Sequence, residues 1–440
     1  MSRWSRKNYG RYSKARERYV RTYATICIPW VHLIAGYETM SNFMRFLTLV
    51  LIGGVMLIDG FDLNAMPLAL PYLAPQLQLS PDDFGVVFSA VLVGLGVGAL
   101  FVAPLGDRFG RRLLIVSACL GIAVTTFGTA FADSVAHFAL WRLATGIALG
   151  ACLPNVSALS AELAPPDKRS FVMSLVSAGI AIGAMSAGIL APELVRFGGW
   201  EMLFFTPAVF ALFLAVSLAF CLPARTLLHD KGGAEDKSPA RAPLLALISK
   251  PYIAPFALFA LIYALNSVAL YMLTSWLPTL LPQAGFSMAF SSRLAGLLQG
   301  GGLVFGIAIS LLLDKWKPGP AILSGYGLVA LALFGIGLLP SAPLEWGVLL
   351  IVAGGGITGI HMAIMALTPS LFPSHILSSA IGAGVAIARL GAIAGPMVGE
   401  WLIKSEITPA YFFLALVVPV GLCGAIALLI PGVMQSRKQS

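Results

Sequence analysis

Charge is scarce in this sequence. Only 11% of its 440 residues are charged, against 58% hydrophobic, and the mean hydropathy is +0.89. A soluble chain of that length needs far more polar surface, so the composition points to an integral membrane protein. Catalytic signatures are missing as well. The sequence contains no GK[ST] phosphate loop, no HExxH and no CxxC, and its polar loops are too small for a catalytic domain. These absences argue against ATP drive and against enzyme chemistry, and no cofactor is expected. The five cysteines (Cys27, Cys119, Cys152, Cys221, Cys423) are scattered, four of them in apolar segments. They read as small buried hydrophobes, not as disulfides or metal ligands. Strict period-two alternation is also lacking, which excludes a membrane β-barrel.

Long apolar runs are abundant. A spanning helix needs roughly 20 apolar residues, and twelve segments meet that length: 46–70, 84–105, 113–132, 137–163, 171–194, 202–222, 252–278, 294–313, 320–340, 345–371, 378–402 and 410–432. The expected fold is an all-α integral membrane protein with twelve transmembrane helices. Lys and Arg distribute unevenly between its loops. Loop 2–3 (Arg108, Arg111, Arg112), loop 4–5 (Lys168, Arg169), loop 6–7 (Arg225 to Lys250), loop 8–9 (Lys315, Lys317) and the tail (Arg437, Lys438) are basic. The opposite connections carry only Arg196, Arg293 and Lys404. The positive-inside rule then places both termini in the cytoplasm.

Residues 1–39 are unusual. Eight Lys or Arg lie between Arg3 and Arg21, followed by the short apolar run YATICIPWVHLIAG. Three readings compete: a cleaved signal, a basic arm on anionic lipid, or translation from an upstream start with Met40 or Met44 as the true one. The last is preferred, because a cytoplasmic N-terminus needs no signal. Without residues 1–39 the net charge falls from +9 to +3, so the basic balance is no argument for nucleic acid.

The only long polar connection, 223–250, separates six spans from six, and the halves echo each other. GDRFGRRLLIVSA follows span 2 and DKWKPGPAILSG follows span 8, with Asp107 and Asp314 in matching places. GIAIGAMSAGIL and GAIAGPMVGEWL mark corresponding glycine-rich fifth spans. Such symmetry marks a secondary transporter whose bundles rock about a central site. The expected organisation is a basic segment (1–45), a six-helix bundle (46–222), a cytoplasmic linker (223–250), a second bundle (251–432) and a cytoplasmic tail (433–440).

GDRFGRR at 106–112 resembles the loop 2–3 signature of the major facilitator superfamily, with Ala103 where its opening small residue is usually Gly. The physical logic is a gate. Asp107, Arg108, Arg111 and Arg112 at a helix end can grip a neighbouring helix terminus in one state and release it in another. Glu162 is a candidate partner for Arg111 or Arg112, and Asp314 is the counterpart of Asp107. A plain positive-inside anchor accounts for the same arginines. Further stretches resemble the aromatic acid:H+ symporter family: DGFD in span 1, RLATGIALGACLPNVSALSAELAPPDKR in span 4, YMLTSWLPTLLPQAGF at 271–286, and LFPSHILSSAIGAGVAIARLGAIAGP. One departure is Leu377, where the family usually carries an arginine after LFPSHI.

Ionisable groups inside the bilayer cost about 2.5–3.5 kcal/mol each on insertion scales, so each needs a partner or a task. Asp59 and Asp62 are three apart and share a helical face. Two carboxylates that close in a poorly hydrated cavity resist double ionisation, which suits a site that gains and loses a proton. A structural anchor, or a hydrated helix end for Asp62, are the alternatives. Arg142 opens span 4, where snorkelling would make it inexpensive. The family resemblance instead implies a buried arginine facing span 1 and holding one of the two aspartates. Arg389 lies mid-span, and its planar fork suits a carboxylate, either a substrate's or a neighbouring helix's. His361 replaces an amide common in the family. It is either a satisfied core residue, a hydrogen-bond partner for a ring hydroxyl, or a proton carrier. Asn155, Asn266, Tyr271, Trp276 and Gln299 complete the candidate pocket, with Trp276 equally placed for an interfacial belt.

The expected function is proton-coupled import of an aromatic carboxylate, hydroxybenzoate- or hydroxyphenylpropionate-like, across a bacterial-type inner membrane by a monomer embedded in the lipid bilayer. Efflux by proton antiport on the same fold, or a receptor that binds without transport, are the alternatives.

Overall fold

The computed structural model describes residues 41–165, 168–222, 247–315 and 318–432. The N-terminal segment up to residue 40, nearly all of the expected linker, and the tail from 433 lie outside the described residues. Among the described residues there is no strand, and twelve helices are long and apolar enough to cross a membrane. They are Asn42–Leu77, Pro81–Val102, Arg111–Thr129, Val135–Leu163, Phe171–Gly198, Met202–Cys221, Ile253–Gln283, Met288–Leu313, Gly319–Leu338, Pro343–Met365, Ser379–Lys404 and Pro409–Gly432, here spans 1 to 12. All twelve sequence segments fall on them, with ends shifted by a few residues. Span 1 extends furthest beyond its expected end, to Leu77, despite Pro67, Pro71 and Pro75. Prolines are tolerated there because neighbouring helices and side chains satisfy the freed carbonyls.

Span ends follow local chemistry. Ser41 opens span 1 by accepting the Met44 N–H at 3.2 Å, an N-cap that satisfies one orphan donor. Span 2 unwinds through a π turn at Gly98–Val102 and is followed by the short helix Leu105–Phe109. Gly110 then reverses the chain at φ 98, a backbone region where any side chain is strained. That requirement explains the second glycine of GDRFGRR.

The helices form two six-helix bundles with matching internal contacts: span 1 packs on span 5 as span 7 does on span 11, and span 2 packs on span 4 as span 8 does on span 10. Small residues permit the close approach. A side chain at Gly60 would run into the Ile180 carbonyl of span 5, and one at Gly391 into the Ala264 carbonyl of span 7.

Between the bundles, spans 5 and 8, 2 and 11, and 1 and 7 touch. Their polar contacts lie at mid-membrane or on the face remote from residues 41 and 432. Lys404 Nζ pairs with Asp83 at 3.0 Å, Arg293 reaches Glu193 at 3.4 Å, and Ser89 Oγ donates to the Ile393 carbonyl at 2.8 Å. On that same side a Cβ at Gly188 would collide with the backbone of Gly296. The bundles are thus joined at one face.

Candidate functional site

A cavity of about 520 Å³ lies between the bundles, bordered by spans 1, 2, 4, 5, 7, 8 and 10. It runs from Pro67, Thr274 and Ser275 near the closed end to Ser174 and Met362 toward the terminal face. Its walls are largely apolar, with Phe88 and Tyr271 as aromatic surfaces and Asn64, Gln299 and Thr358 as polar points. Gln299 Nε2 donates to Asn64 Oδ1 across the bundle interface at 3.3 Å, while Asn64 Nδ2 donates to the Gly60 carbonyl at 2.8 Å. An apolar, partly aromatic chamber with a few convergent polar groups suits a small organic ligand.

A smaller chamber of about 90 Å³ adjoins it and shares the Tyr271 side chain. Arg389, His361, Tyr263 and Ser267 line it. Arg389 is half-buried and makes no hydrogen bond or ion pair among the described residues. The alternative of a helix-to-helix ion pair for Arg389 therefore finds no partner there. A mid-span guanidinium at a chamber wall has the chemistry to receive an anion.

The two aspartates of DGFD part company. Asp62 is fully buried and saturated: Arg142 Nη1 donates to Oδ2 at 2.8 Å, Arg142 Nη2 to the Asp62 carbonyl at 2.9 Å, and Thr126 Oγ1 to Oδ1 at 2.9 Å. Arg142 itself is wholly shielded, so it is not a snorkelling residue at the interface. Asp59, one turn earlier, is equally buried, yet its carboxylate makes no hydrogen bond and its Oδ1 is sealed from solvent without a partner. The cations within electrostatic reach of Asp59 are Arg389, from the other bundle, and Arg142.

Other expected pocket residues divide. Tyr271 and Gln299 border the large cavity, as does Arg142. His361 borders the small chamber and also bonds inward, its Nδ1 3.2 Å from Asn266 Nδ2. Asn266 borders neither cavity: it is buried between the Tyr326 hydroxyl (3.0 Å) and the Ile357 carbonyl (3.3 Å). Asn155 does not reach a cavity either. Its amide donates to the Ala103 and Ala151 carbonyls, each at 3.0 Å, and packs over Gly106 where span 2 ends. Trp276 is buried, so the interfacial-belt alternative does not apply. Its indole N–H donates to the Pro396 carbonyl at 3.0 Å and its ring meets Phe88 edge-on at 5.2 Å, forming a wall behind the cavity.

At the loop 2–3 end, Arg111 bonds Glu162 of span 4 and also lies 3.3 Å from Asp107. Arg112 caps span 6 through the Ala219 carbonyl at 2.5 Å, and Arg108 lies over the Phe109 ring at 5.5 Å. These contacts are all within the first bundle. The Asp314 side chain lies outside the described residues. Of the cysteines, Cys119, Cys152, Cys221 and Cys423 are free thiols, three of them buried; Cys27 lies outside the described residues.

Several residues of the site were not among the sequence candidates: Asn64, Thr274, Ser275, Thr358 and Tyr263 at the cavities, and Thr126, which bonds Asp62. Asn64 is the most legible of them, two residues after Asp62 in a run otherwise apolar. Thr126 and Thr358 look like any small helix residue until a neighbouring span is placed beside them.

Two bundles of six helices, internally matched and meeting around a central cavity, define the architecture of a secondary membrane transporter. The Major Facilitator Superfamily profile matches residues 52–396, and the chain belongs to that superfamily, as a multi-pass membrane transporter and not an enzyme. It is 30% identical to a gallate transporter of Pseudomonas putida over 88% of this chain and 92% of the relative. It is 32% identical to a 3-(3-hydroxy-phenyl)propionate transporter of Escherichia coli (strain K12), over 81% of this chain and 87% of the relative. Among solved structures, a bacterial homolog of the human lysosomal transporter Spinster, inward-facing and unoccupied, superposes with a TM-score of 0.75 at 16% identity, over 90% of this chain and 99% of that one. That likeness concerns the fold alone.

Proposed function

We propose that this chain imports an aromatic carboxylate with protons across a bacterial inner membrane, by alternating access. The observation that carries the reading is the unpartnered pair across the bundle interface: Arg389 without an acid, and Asp59 buried without a hydrogen bond. Aromatic-acid relatives support the substrate class. In this reading the substrate ring lies between Phe88 and Tyr271 of the large cavity and its carboxylate meets Arg389 in the small chamber; the linings of the two cavities support it.

The coupling follows from electrostatics in a medium of low dielectric. While Asp59 is ionised, part of the Arg389 field is spent on it. Protonation of Asp59 removes that competitor and leaves the guanidinium to the substrate carboxylate. Loaded with both, the bundles exchange the contacts at Lys404–Asp83 and Gly188–Gly296 for contacts at the loop 2–3 face, where Asp107, Arg111 and Glu162 stand ready. With both termini cytoplasmic by the positive-inside rule, we read the conformation described here as open inward. Asp62, held by Arg142 and Thr126, fixes span 1 so that Asp59 keeps its position.

The test is uptake of radiolabelled 4-hydroxybenzoate and gallate into energised vesicles. Accumulation abolished by a protonophore supports symport; accumulation indifferent to it contradicts symport, and saturable binding with no uptake indicates a receptor.

A further inference from the structure

We infer that Tyr326 and Asn266 fix the proton of His361 on Nε2, making the imidazole a dedicated hydrogen-bond donor to the carboxylate that Arg389 receives. The inference rests on the carboxylate reading of the site and adds a second, oriented donor to it.

A backbone carbonyl sets the orientation of the amide. The Ile357 oxygen, 3.3 Å from Asn266 Nδ2, can only accept, so the amide nitrogen must face it. The amide oxygen then points to the Tyr326 hydroxyl, which donates to it at 3.0 Å. With the amide so fixed, its second N–H is directed at His361 Nδ1, 3.2 Å away. A ring nitrogen that accepts carries no proton, and a neutral imidazole keeps its single proton on the other nitrogen. The tautomer is thus assigned from the hydrogen-bond network. An imidazolium, protonated at both nitrogens, would set N–H against N–H at Asn266.

The relay is dry. Asn266 and Tyr326 are 1% and 2% exposed, so no water replaces either partner. Tyr263 stabilises the ring plane from the side, its ring 4.5 Å from the imidazole at a tilt of 33°. On its other edge the imidazole borders the small chamber, and Nε2 makes no hydrogen bond among the described residues. Arg389 lines that chamber too, and no Asp or Glu does. Two donors and no carboxylate suit a ligand with two acceptor oxygens. They do not suit an amine. His361 is accordingly neither the acceptor for a ring hydroxyl nor a proton carrier. Asn266 and Tyr326, which touch no ligand space, are positioning residues acting through it.

The test uses the full chain in lipid nanodiscs with isotopically labelled histidine. The His361 resonances are assigned by their loss in His361→Gln. The expected spectrum shows an unprotonated Nδ1 and a protonated Nε2, with the Nδ1–H tautomer emerging in Tyr326→Phe and Asn266→Ala. Benzoate is the binding probe: Asn266→Ala should weaken it about tenfold, as expected for one hydrogen bond to a charged group. In His361→Gln, whose amide donates whatever the relay does, adding Asn266→Ala should cost nothing further. A wild-type Nδ1–H tautomer in protein that binds benzoate would overturn the relay alone, as would additive losses in the double variant. Failure of wild-type protein to bind benzoate would overturn the carboxylate reading and with it the docking at His361, while the spectrum still reads the tautomer. The wild-type spectrum keeps the relay falsifiable even if a relay variant folds poorly.

Discussion

Arg142 and Asp62 form an ion pair wholly removed from solvent, 2.8 Å between Nη1 and Oδ2. The pair joins span 4 to span 1, and a second bond from the same guanidinium to the Asp62 carbonyl makes the junction rigid. Breaking a buried pair by removing one partner costs about 3–5 kcal/mol, because the remaining charge is stranded. Arg142→Leu should therefore lower thermal stability in detergent sharply. The double variant Asp62→Leu with Arg142→Leu should recover part of the loss, since no charge is left buried. Melting temperatures of the singles and the double check this.

Asp59→Asn should behave differently. Asp59 makes no bond to lose, so the amide variant is expected to fold and to bind substrate, with the competitor for Arg389 permanently neutral. It should equilibrate labelled 4-hydroxybenzoate across proteoliposomes without concentrating it. Full accumulation by the variant would remove Asp59 from the coupling.

Arg389→Lys keeps the charge and loses the planar fork. Substrate binding should weaken about tenfold, the loss of one charge-assisted hydrogen bond, with the defect in apparent affinity and not in protein stability. Calorimetric titration with benzoate measures it.

Gly188→Ala addresses the closed face. The added methyl meets the Gly296 backbone in the conformation described here, so the variant should favour the state open at that face. Raised labelling of a cysteine introduced at Thr274 by an impermeant reagent from outside, together with slowed uptake, is the expected result. Unchanged labelling would show that this contact does not hold the bundles shut.

Much of this molecule is legible in its sequence because membrane solvation leaves few options. Twelve apolar runs become twelve helices, and an internal echo such as GDRFGRR and DKWKPGP becomes a two-fold bundle arrangement. Ionisable residues in apolar runs are equally conspicuous, which is why Asp59, Asp62, Arg142, His361 and Arg389 stood out. What each of them does was not legible, because it depends on which span lies alongside. Asp62 is occupied only because Thr126 and Arg142 arrive from spans 3 and 4. Trp276 lies inside, and not at the interface, because Phe88 and the Pro396 carbonyl receive it. Asn155 braces the end of span 2 for a similar reason: Ala103 and Gly106 sit opposite it. Spans that are apolar all round give little periodicity to separate cavity from lipid. Phe88 faces the cavity and Phe101 of the same span is 71% exposed, yet the two look alike in the sequence.

In the proposed symport, Asp59 carries the proton that accompanies an aromatic carboxylate. The most direct test is the pH of a weakly buffered medium around proteoliposomes when 4-hydroxybenzoate is added. Wild-type protein should alkalinise the medium as substrate enters, and Asp59→Asn should admit substrate with no pH change. Substrate entry without alkalinisation in the wild type, or equal alkalinisation in the variant, would contradict the account.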